Sequence, residues 1–300
     1  MKPVTFWSEG TRLAGDLYFP PDFGPGQERP AIVLCHGWGG TKAHLAATSL
    51  PQRLAAAGYV VLAFDYRGWG ESDGKVVVLD PLPKERTEVT LRVQVIREVV
   101  DPFDEAWDIC HAIDFIEGEP GVDPGRIGLW GSSYGGGLVV WMAAHDDRVK
   151  CVVSQVAPQD SRSLGLTRAG DSPREEMHRL AVQQARGEAE PIPQSVEGAP
   201  GLTGTPHAAK MYYFAPIEFA EQIAVPVLLV DAEHEELFDR HQHSEALYNR
   251  LAAAGRAPVR YEVVAGISHY AIYSEKAAES ARLATEWFDT HLGRRLDRTP

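Results

Sequence analysis

The five residues Gly131–Gly135, which read GSSYG, constrain the fold of this chain more than any other feature. They follow an apolar run, Arg126–Trp130, and precede a helical pattern at 136–144. A G-x-S-x-G sequence between a strand and a helix forces a sharp, strained turn, which requires glycines beside the serine. The turn lifts the serine hydroxyl out of the sheet and places the next N–H groups at a helix N-terminus, where negative charge is favoured. Ser133 is therefore predicted to be a nucleophile on an α/β scaffold.

The remainder of the chain alternates between short apolar runs and helical patterns. Val4–Trp7 and Arg12–Phe19, separated by a glycine-containing turn, predict an antiparallel hairpin. Six β-branched runs predict buried strands: Ala31–Cys35, Tyr59–Asp65, Arg126–Trp130, Val149–Ser154, Val225–Asp231 and Val259–Val264. Helices are predicted over Lys42–Ala57, Asp104–Glu117, Gly135–Ala144, Arg240–Ala254 and Ser274–Leu292. Strands that alternate with helices indicate βαβ units and a mainly parallel sheet.

Two segments interrupt the alternation. Lys75–Pro102 is predicted to be a loop followed by a short helix within Glu88–Val100. Gln159–Ile223 is longer and proline-bearing, and long irregular segments inside compact domains are typically lids or disordered. Its aromatic run Lys210–Phe214 favours a lid that packs on something, although the same side chains could simply anchor the insertion to the core. We predict a core of residues 1–158 and 224–300 with a cap at 159–223.

A serine nucleophile needs a histidine base and a carboxylate that orients it. His269 lies after the last predicted strand, where the Ser, acid, His order of this architecture puts the base. The acid is expected just after the strand Val225–Asp231, where several carboxylates stand. Glu235 is the preferred residue because it lies a few residues past the strand and precedes an apolar pair. Asp231, at the predicted strand end, is the alternative.

The tetrahedral intermediate of acyl transfer carries an oxyanion, which backbone N–H donors stabilise by about 2.7–4 kcal/mol each. One donor is predicted to be the N–H of Tyr134, directly after the nucleophile. The other is expected on the loop His36–Gly40, whose glycines let the main chain approach a ligand closely. Trp38 N–H is the predicted second donor.

The composition of the chain limits which partners the protein is expected to bind and in which cellular compartment it is expected to work. The formal net charge of −13 disfavours nucleic acid, and no basic patch with interleaved aromatics is present in the sequence. Three cysteines without C-x-x-C spacing argue against a disulfide framework and a cysteine metal site. No apolar stretch approaches the roughly 20 residues that span a bilayer, and the first ten residues resemble no secretory signal. We expect a cytoplasmic enzyme that acts on small molecules, without membrane partners.

Two rival motifs are incomplete. His234-Glu235, followed by His241 and His243, suggests a zinc site, but H-E-x-x-H would require histidine where Phe238 stands. The glycines at 135–137 do not form the G-x-G-x-x-G fingerprint of a dinucleotide site. Neither a metal nor a nucleotide cofactor is therefore predicted.

The motifs, taken in order, resemble the landmarks of the α/β-hydrolase superfamily. They read HGWG at 36–39, DYRGWGES at 65–72, GSSYG at 131–135 and GISH at 266–269. Within that superfamily the sequence is most similar to dienelactone-hydrolase-like and X-Pro dipeptidyl-peptidase-like (S15) esterases. The resemblance implies an α/β-hydrolase fold with a cap, and carboxylic-ester hydrolysis through an acyl-enzyme without a cofactor. These families usually have Asp where Glu235 stands.

Other functions remain open on the same residues. A peptidase releasing X-Pro dipeptides would need carboxylates in the cap to bind an amino terminus, and Glu175 and Glu176 are candidates. Hydrolysis of carbon–carbon bonds uses the same triad, and a binding protein can keep the fold without chemistry. Aromatic residues near the predicted site favour an apolar or aromatic group on the substrate. A homodimer formed partly through the insertion is compatible with the sequence.

Overall fold

An eight-stranded sheet forms the centre of the molecule in a computed structural model, which describes residues 1–163, 173–194 and 202–293. The strands in chain order are β1 Lys2–Ser8, β2 Thr11–Tyr18, β3 Arg29–Cys35, β4 Val60–Phe64, β5 Lys75–Val78, β6 Val93–Ile96, β7 Val99–Val100, β8 Val122–Ser132, β9 Val149–Gln155, β10 Thr205–Pro206, β11 Val227–His234 and β12 Val259–Ser268. The helices are α1 Lys42–Ala47, α2 Leu50–Ala56, α3 Pro102–Glu117, α4 Tyr134–His145, α5 Pro173–Ala185, α6 Ala208–Tyr213, α7 Ser244–Ala254 and α8 Ala277–Leu292.

The central sheet has the order β1-β2-β4-β3-β8-β9-β11-β12. The hairpin β1–β2 and the pair β2–β4 are antiparallel, and the pairs from β4 to β12 are parallel. The parallel strands are largely buried because helices cover both faces of the sheet. Along β3, Val33 joins the core on one face with α3, α4 and α7, and Ile32 joins the core on the other with α1, α2 and α8. The predicted α/β-hydrolase architecture with an N-terminal hairpin is confirmed.

Two local predictions were wrong. The single helix expected over Lys42–Ala57 is two helices, because Ser49 adopts a left-handed conformation directly before α2. The short helix expected within Glu88–Val100 is absent, and β6 and β7 stand in its place. The residues of β6 alternate between exposed and more buried positions, which suits a strand, and the pairing partner β5 lies well upstream in the chain. In the described part of the chain no helix is long and apolar enough to cross a membrane.

The segment predicted as a cap carries α5, β10, α6 and a 3-10 helix at Pro216–Gln222, with 164–172 and 195–201 outside the described residues. β10 pairs in parallel with β7, which attaches the segment to the start of α3. Met211 and Phe214 are buried and Tyr213 is exposed, so the aromatic run Lys210–Phe214 anchors the segment to the core. The division into a core and a cap remains a prediction.

A buried ion pair joins the loop after β4 to α3. Arg67 donates from Nη2 to Oδ1 of Asp108 at 2.6 Å and from its backbone N–H to Oδ2 at 2.8 Å. The Asp108 side chain is fully buried and that of Arg67 is 9% exposed. Arg67 also donates to Ser8 Oγ at 2.8 Å, which brings the hairpin into the same contact. Removing one partner of such a pair leaves an uncompensated buried charge.

We expect Asp108→Ala to lower the free energy of unfolding by about 3–5 kcal/mol, because Arg67 would lose its buried partner. Urea titration monitored by circular dichroism measures this loss. Asp114→Ala is the matched control on the same helix, since Asp114 pairs with Arg148 in an exposed position. The control should lose no more than about 1 kcal/mol. Equal losses in the two variants would contradict the structural role given to the buried pair.

Candidate active site

Ser133 occupies the turn between β8 and α4 in a backbone conformation that is rare for a residue with a side chain. Its φ is 54° and its ψ is −129°. The N–H of Ser133 donates to Gln155 O at 2.8 Å, and Gly136 N–H donates to Ser133 O at 2.8 Å. Positive φ values in non-glycine residues cluster at functional sites because the surrounding structure must hold them. The sharp turn predicted from the sequence is present.

The glycines beside Ser133 allow the backbone to pack closely. A Cβ at Gly131 would lie 2.2 Å from Gly135 O, and one at Gly135 would lie 2.3 Å from His36 O. Neither distance leaves room for any side chain. The spacing of glycines that defines the motif is therefore a steric requirement of this turn.

His269 lies between Ser133 and Glu235 at the carboxyl ends of the parallel strands. Its Nε2 is 3.2 Å from Ser133 Oγ, and its Nδ1 is 2.8 and 2.9 Å from the two carboxylate oxygens of Glu235. The side chains of His269 and Glu235 are 2% and 1% exposed. A carboxylate only accepts hydrogen bonds, so the proton belongs on Nδ1 and Nε2 is left to accept from the serine hydroxyl. The arrangement can transfer a proton from the serine.

Asp231, the alternative acid, makes no described contact with His269. β11 runs three residues beyond Asp231, so the residue lies within the strand and not on the loop. Its carboxyl accepts from Ser244 Oγ at 3.0 Å and from Tyr261 OH at 2.9 Å. Burial raises the pKa of Asp231 to about 7, and the negative charge of Glu235 adds to this rise.

Residues of the loop after β11 other than Glu235 also contact His269. The backbone N–H of His269 donates to Glu236 Oε2 at 2.8 Å, and the ring packs edge to face with Phe238 at 6.1 Å. Glu235 also accepts from Leu237 N–H at 3.0 Å, which orients its carboxylate. Of the apolar pair that follows Glu235, Phe238 makes this ring contact, whereas Leu237 is 42% exposed. Sequence reasoning missed Glu236, whose signal is its place beside the acid.

The loop after β3 lies directly over Ser133. A Cβ at Gly37 would lie 3.0 Å from Ser133 Cβ and 3.6 Å from Ser133 Oγ. The Gly37 carbonyl accepts from Gly40 N–H at 3.0 Å and faces Nδ1 of His36 at 2.9 Å. In a trans peptide the N–H points opposite to the C=O, so the N–H of Trp38 points away from these two groups.

No role was predicted for His36 from the sequence, but its side chain contacts the Gly37 carbonyl and fixes the peptide between Gly37 and Trp38. Its side chain is buried, and burial lowers the pKa of His36 to about 4. A neutral ring with its proton on Nδ1 donates to the Gly37 carbonyl. The position of His36, directly before Gly37 at a strand end, is the signal that could have identified it.

Tyr134 begins α4, so its N–H has no acceptor within the helix. Its side chain is buried, with ring centroids 6.0 Å from Trp38 and 6.4 Å from Phe214. The indole N–H of Trp38 donates to Thr203 O at 2.9 Å, which ties the loop after β3 to the inserted segment. The two N–H groups expected to hold an oxyanion therefore belong to residues in ring contact with one another.

A buried polar network lies behind the turn at Ser133. Ser132 Oγ is 2.7 Å from Tyr273 OH and accepts from Gln155 Nε2 at 3.0 Å. Gln155 in turn accepts from Ser280 on α8. Tyr273 lies in the 3-10 turn that follows His269, so the network joins the turn at Ser133 to the segment that carries His269.

The histidines of the rejected zinc motif lie apart. His243 is buried, accepts from Gln159 N–H at Nδ1 (2.9 Å) and lies 3.0 Å from Ser163 Oγ at Nε2. Burial lowers the pKa of His243, so the neutral ring with its proton on Nε2 suits both contacts. His241 pairs with Glu245 at the surface. Within the described ranges no group of three or more His, Cys, Asp or Glu side chains is arranged to hold a metal ion.

The sheet order, the turn at Ser133 and the histidine after the last strand define an α/β-hydrolase. Comparison with known proteins places the chain more narrowly. The family model described as X-Pro dipeptidyl-peptidase (S15 family) matches residues 9–198, which is more than half of the chain. The chain therefore belongs to this family and is a hydrolase.

One curated relative spans most of both chains. It is an uncharacterized 31.7 kDa protein of Escherichia coli from the traX-finO intergenic region, 30% identical over 293 residues, with 88% of this chain and 92% of that protein covered. Est1E from Butyrivibrio proteoclasticus, solved with bound ferulic acid, has a TM-score of 0.69 at 18% identity, covering 97% of this chain and all of that one. The esterase domain of a Rhodothermus marinus protein has a TM-score of 0.64 at 19% identity, covering 97% and 99%. At these identities the two structures share the fold.

We expect Glu235→Gln to lower kcat by about 10³–10⁴-fold on any substrate that the protein turns over, because an amide facing Nδ1 favours the wrong tautomer of His269. Asp231→Asn is the matched control and should change kcat by less than about tenfold. Steady-state kinetics on the two purified variants measures both effects. The reverse pattern would transfer the role of the acid to Asp231.

The raised pKa of Asp231 predicts a pH dependence of stability. The folded state holds this proton up to about pH 7, whereas the ordinary value is 3.8. Its stabilising contribution is therefore present below about pH 4 and is lost as the pH rises to about 7. Asp231→Asn should remove this dependence and unfold at higher urea concentration than wild type at pH 8. Asp147→Asn, an exposed control, should follow the wild-type profile; an Asp231→Asn variant that did the same would contradict the prediction.

Proposed function

We propose that the protein hydrolyses carboxylic esters through an acyl-enzyme, with Ser133, His269 and Glu235 as its catalytic triad. The single observation that carries the proposal is the placement of His269. Its ring lies within hydrogen-bond range of a strained serine on one side and of a buried carboxylate on the other. This is the geometry that activates a hydroxyl that is otherwise a weak nucleophile.

In the first half of the reaction, Ser133 Oγ attacks the ester carbonyl carbon and its proton passes to His269 Nε2. The imidazolium is stabilised by Glu235 at Nδ1. The oxyanion accepts hydrogen bonds from the N–H groups of Trp38 and Tyr134. The intermediate collapses, the carbon–oxygen bond to the alcohol breaks, and His269 gives its proton to the leaving oxygen.

In the second half, water takes the place of the alcohol. His269 Nε2 accepts a proton from the water as its oxygen attacks the acyl carbon. The second oxyanion uses the same donors, and the bond to Ser133 breaks as His269 returns the proton to Oγ. The acid product leaves, and the triad is restored without a cofactor.

The proposed oxyanion donors are supported by backbone geometry. The Gly37 carbonyl is engaged by His36 and Gly40, so the N–H of Trp38 faces the opposite side of that peptide. Gly37 itself lies against the Cβ of Ser133. The N–H of Tyr134 is the first of a helix and is free of intrahelical acceptors.

Peptide hydrolysis is a second candidate because the matching family model is named for X-Pro dipeptidyl-peptidases. Such an activity would use the same triad and would need a carboxylate for the substrate amino terminus. Glu175 is exposed on α5, and the side chain of Glu176 lies outside the described residues. Ester hydrolysis is preferred because structural neighbours that cover nearly the whole chain include an esterase domain from Rhodothermus marinus and Est1E with bound ferulic acid.

The decisive experiment is intact-mass spectrometry after incubation with a fluorophosphonate. Wild type should gain one adduct, because the probe reacts with activated serines, and Ser133→Ala should gain none. Turnover of p-nitrophenyl esters by Ser133→Ala should fall by about 10³-fold or more. Ser132→Ala is the matched control, since it removes the adjacent hydroxyl and leaves the triad in place, and it should still be labelled.

An unlabelled wild type that is folded, or labelling that survives in Ser133→Ala, would overturn the assignment of the nucleophile. Parallel assays with an X-Pro amide and the corresponding ester separate the two functions. Ester turnover without amide turnover supports the esterase. Amide turnover at a similar kcat/KM, lost in Ser133→Ala, would favour the peptidase.

A further inference from the structure

A two-stranded antiparallel ribbon stands outside the central sheet. It comprises β5 and β6 with their connection, residues Lys75–Ile96, and is called the arm here. The register pairs Val76 with Val95 and Val78 with Val93. Successive residues of a strand point to opposite faces, so these four valines form one face of the ribbon.

The valine face is exposed to solvent. Val76, Val78, Val93 and Val95 are 54%, 38%, 44% and 58% exposed. The opposite face is more buried and turns toward the inserted segment, where Gln94 Nε2 donates to Gln194 Oε1 at 3.3 Å. Within the described residues the two strands pair only with each other, so each is an edge strand. Exposed apolar edge strands are an association hazard unless another surface covers them.

The arm is held in a defined position. Near its tip, Arg92 donates to Asp80 from Nε at 2.9 Å and from its backbone N–H at 2.7 Å. At its base, Arg97 donates to Ser72 O and Gly70 O, each at 2.8 Å. An isolated two-stranded hairpin is at best marginally stable. The contacts at the tip and the base therefore stabilise the arm and fix the position of the valine face.

The charge of the arm differs from that of the rest of the chain. Residues 75–96 contain four basic side chains, Lys75, Lys84, Arg86 and Arg92, and three acidic ones, Asp80, Glu85 and Glu88, so their net charge is +1. The whole chain carries −13. Two copies would repel each other over most of their surface because both are acidic. The negative charge that causes this repulsion is absent from the arm.

We propose that the arm is the interface of a homodimer, in which the valine face of one chain packs against that of a second copy. Two pairs of valines on each ribbon make a face that is complementary to itself under a two-fold axis, as an isologous interface requires. By their exposed fractions the four valines present about 300 Å² of side-chain surface, and Leu82 and Val89 in the connection, 64% and 46% exposed, bring the apolar surface of the arm to about 500 Å². Two arms would then bury about 1,000 Å², the lower limit of a specific interface. A lipid surface fits less well because residues 75–96 contain no aromatic side chain, whereas Trp and Tyr are enriched where proteins meet the membrane interface.

The proposal predicts that the wild-type protein sediments as a dimer, at twice the mass of the 32.9 kDa chain. The variant Val76→Thr/Val78→Thr/Val93→Thr/Val95→Thr should sediment as a monomer. Threonine keeps the β-branched shape that suits a strand and replaces apolar surface by hydroxyl groups. Val182→Thr, an exposed valine of α5, is the matched control and should remain dimeric. Analytical ultracentrifugation measures all three.

Val95→Lys is a second variant, in case the fourfold change disturbs folding. Val95 has the most exposed side chain of the face, so a lysine there keeps the fold and places like charges together in the dimer. It should weaken dimerisation while fluorophosphonate labelling of Ser133 is unchanged. A monomeric wild type, or a dimer that survives in both arm variants, would overturn the proposal. Flotation of a monomeric wild type with phosphatidylcholine vesicles, lost in the arm variants, would do the same by assigning the face to lipid.

Discussion

The strained turn at Ser133 is the constraint on which the rest of the site depends. Its left-handed φ costs about 1–3 kcal/mol, which the surrounding structure must offset. Hydrogen bonds from Ser133 N–H to Gln155 and from Gly136 N–H to Ser133 fix the peptides on either side. Gly131 packs so closely against Gly135 that a side chain at position 131 would disrupt the turn. Since Gln155 lies at the end of β9 and Gly135 and Gly136 lie in α4, the strand and the helix beside the turn position the hydroxyl as well as forming the core.

Side chains from distant parts of the sequence meet at this turn because parallel strands share one carboxyl edge. The G-x-S-x-G motif singled out Ser133 and chain order singled out His269, and the structure brings them together. The sequence favoured Glu235 over Asp231 but left Asp231 as an alternative. The choice depends on where β11 ends, and the strand extends three residues beyond the predicted end and carries Asp231 into contact with Ser244 and Tyr261. The boundary of a strand is a tertiary property, fixed here by pairing with β12.

The helix predicted within Glu88–Val100 was wrong for a different reason. The segment's mixture of charged and β-branched residues is compatible with either a short helix or a strand, and its partner β5 lies far enough upstream that local pattern is uninformative. Two contacts between side chains and backbone groups of the site were also not predicted from the sequence. His36 acts through a peptide carbonyl and Glu236 through a backbone N–H, so only their positions beside Gly37 and Glu235 mark them in the sequence.

The hydrogen bond from the Trp38 indole to Thr203 connects two regions that are usually treated as separate. One is the loop that lies over Ser133, and the other is the inserted segment, which varies most readily in length and composition among enzymes of one fold. A substitution or deletion near Thr203 reaches the loop over Ser133 through this hydrogen bond and through Gly39, which packs against Thr203. Mutations that broaden the range of accepted substrates would therefore alter the rate of the chemical step as well, so the two traits would evolve together, and the order in which such mutations arise would matter.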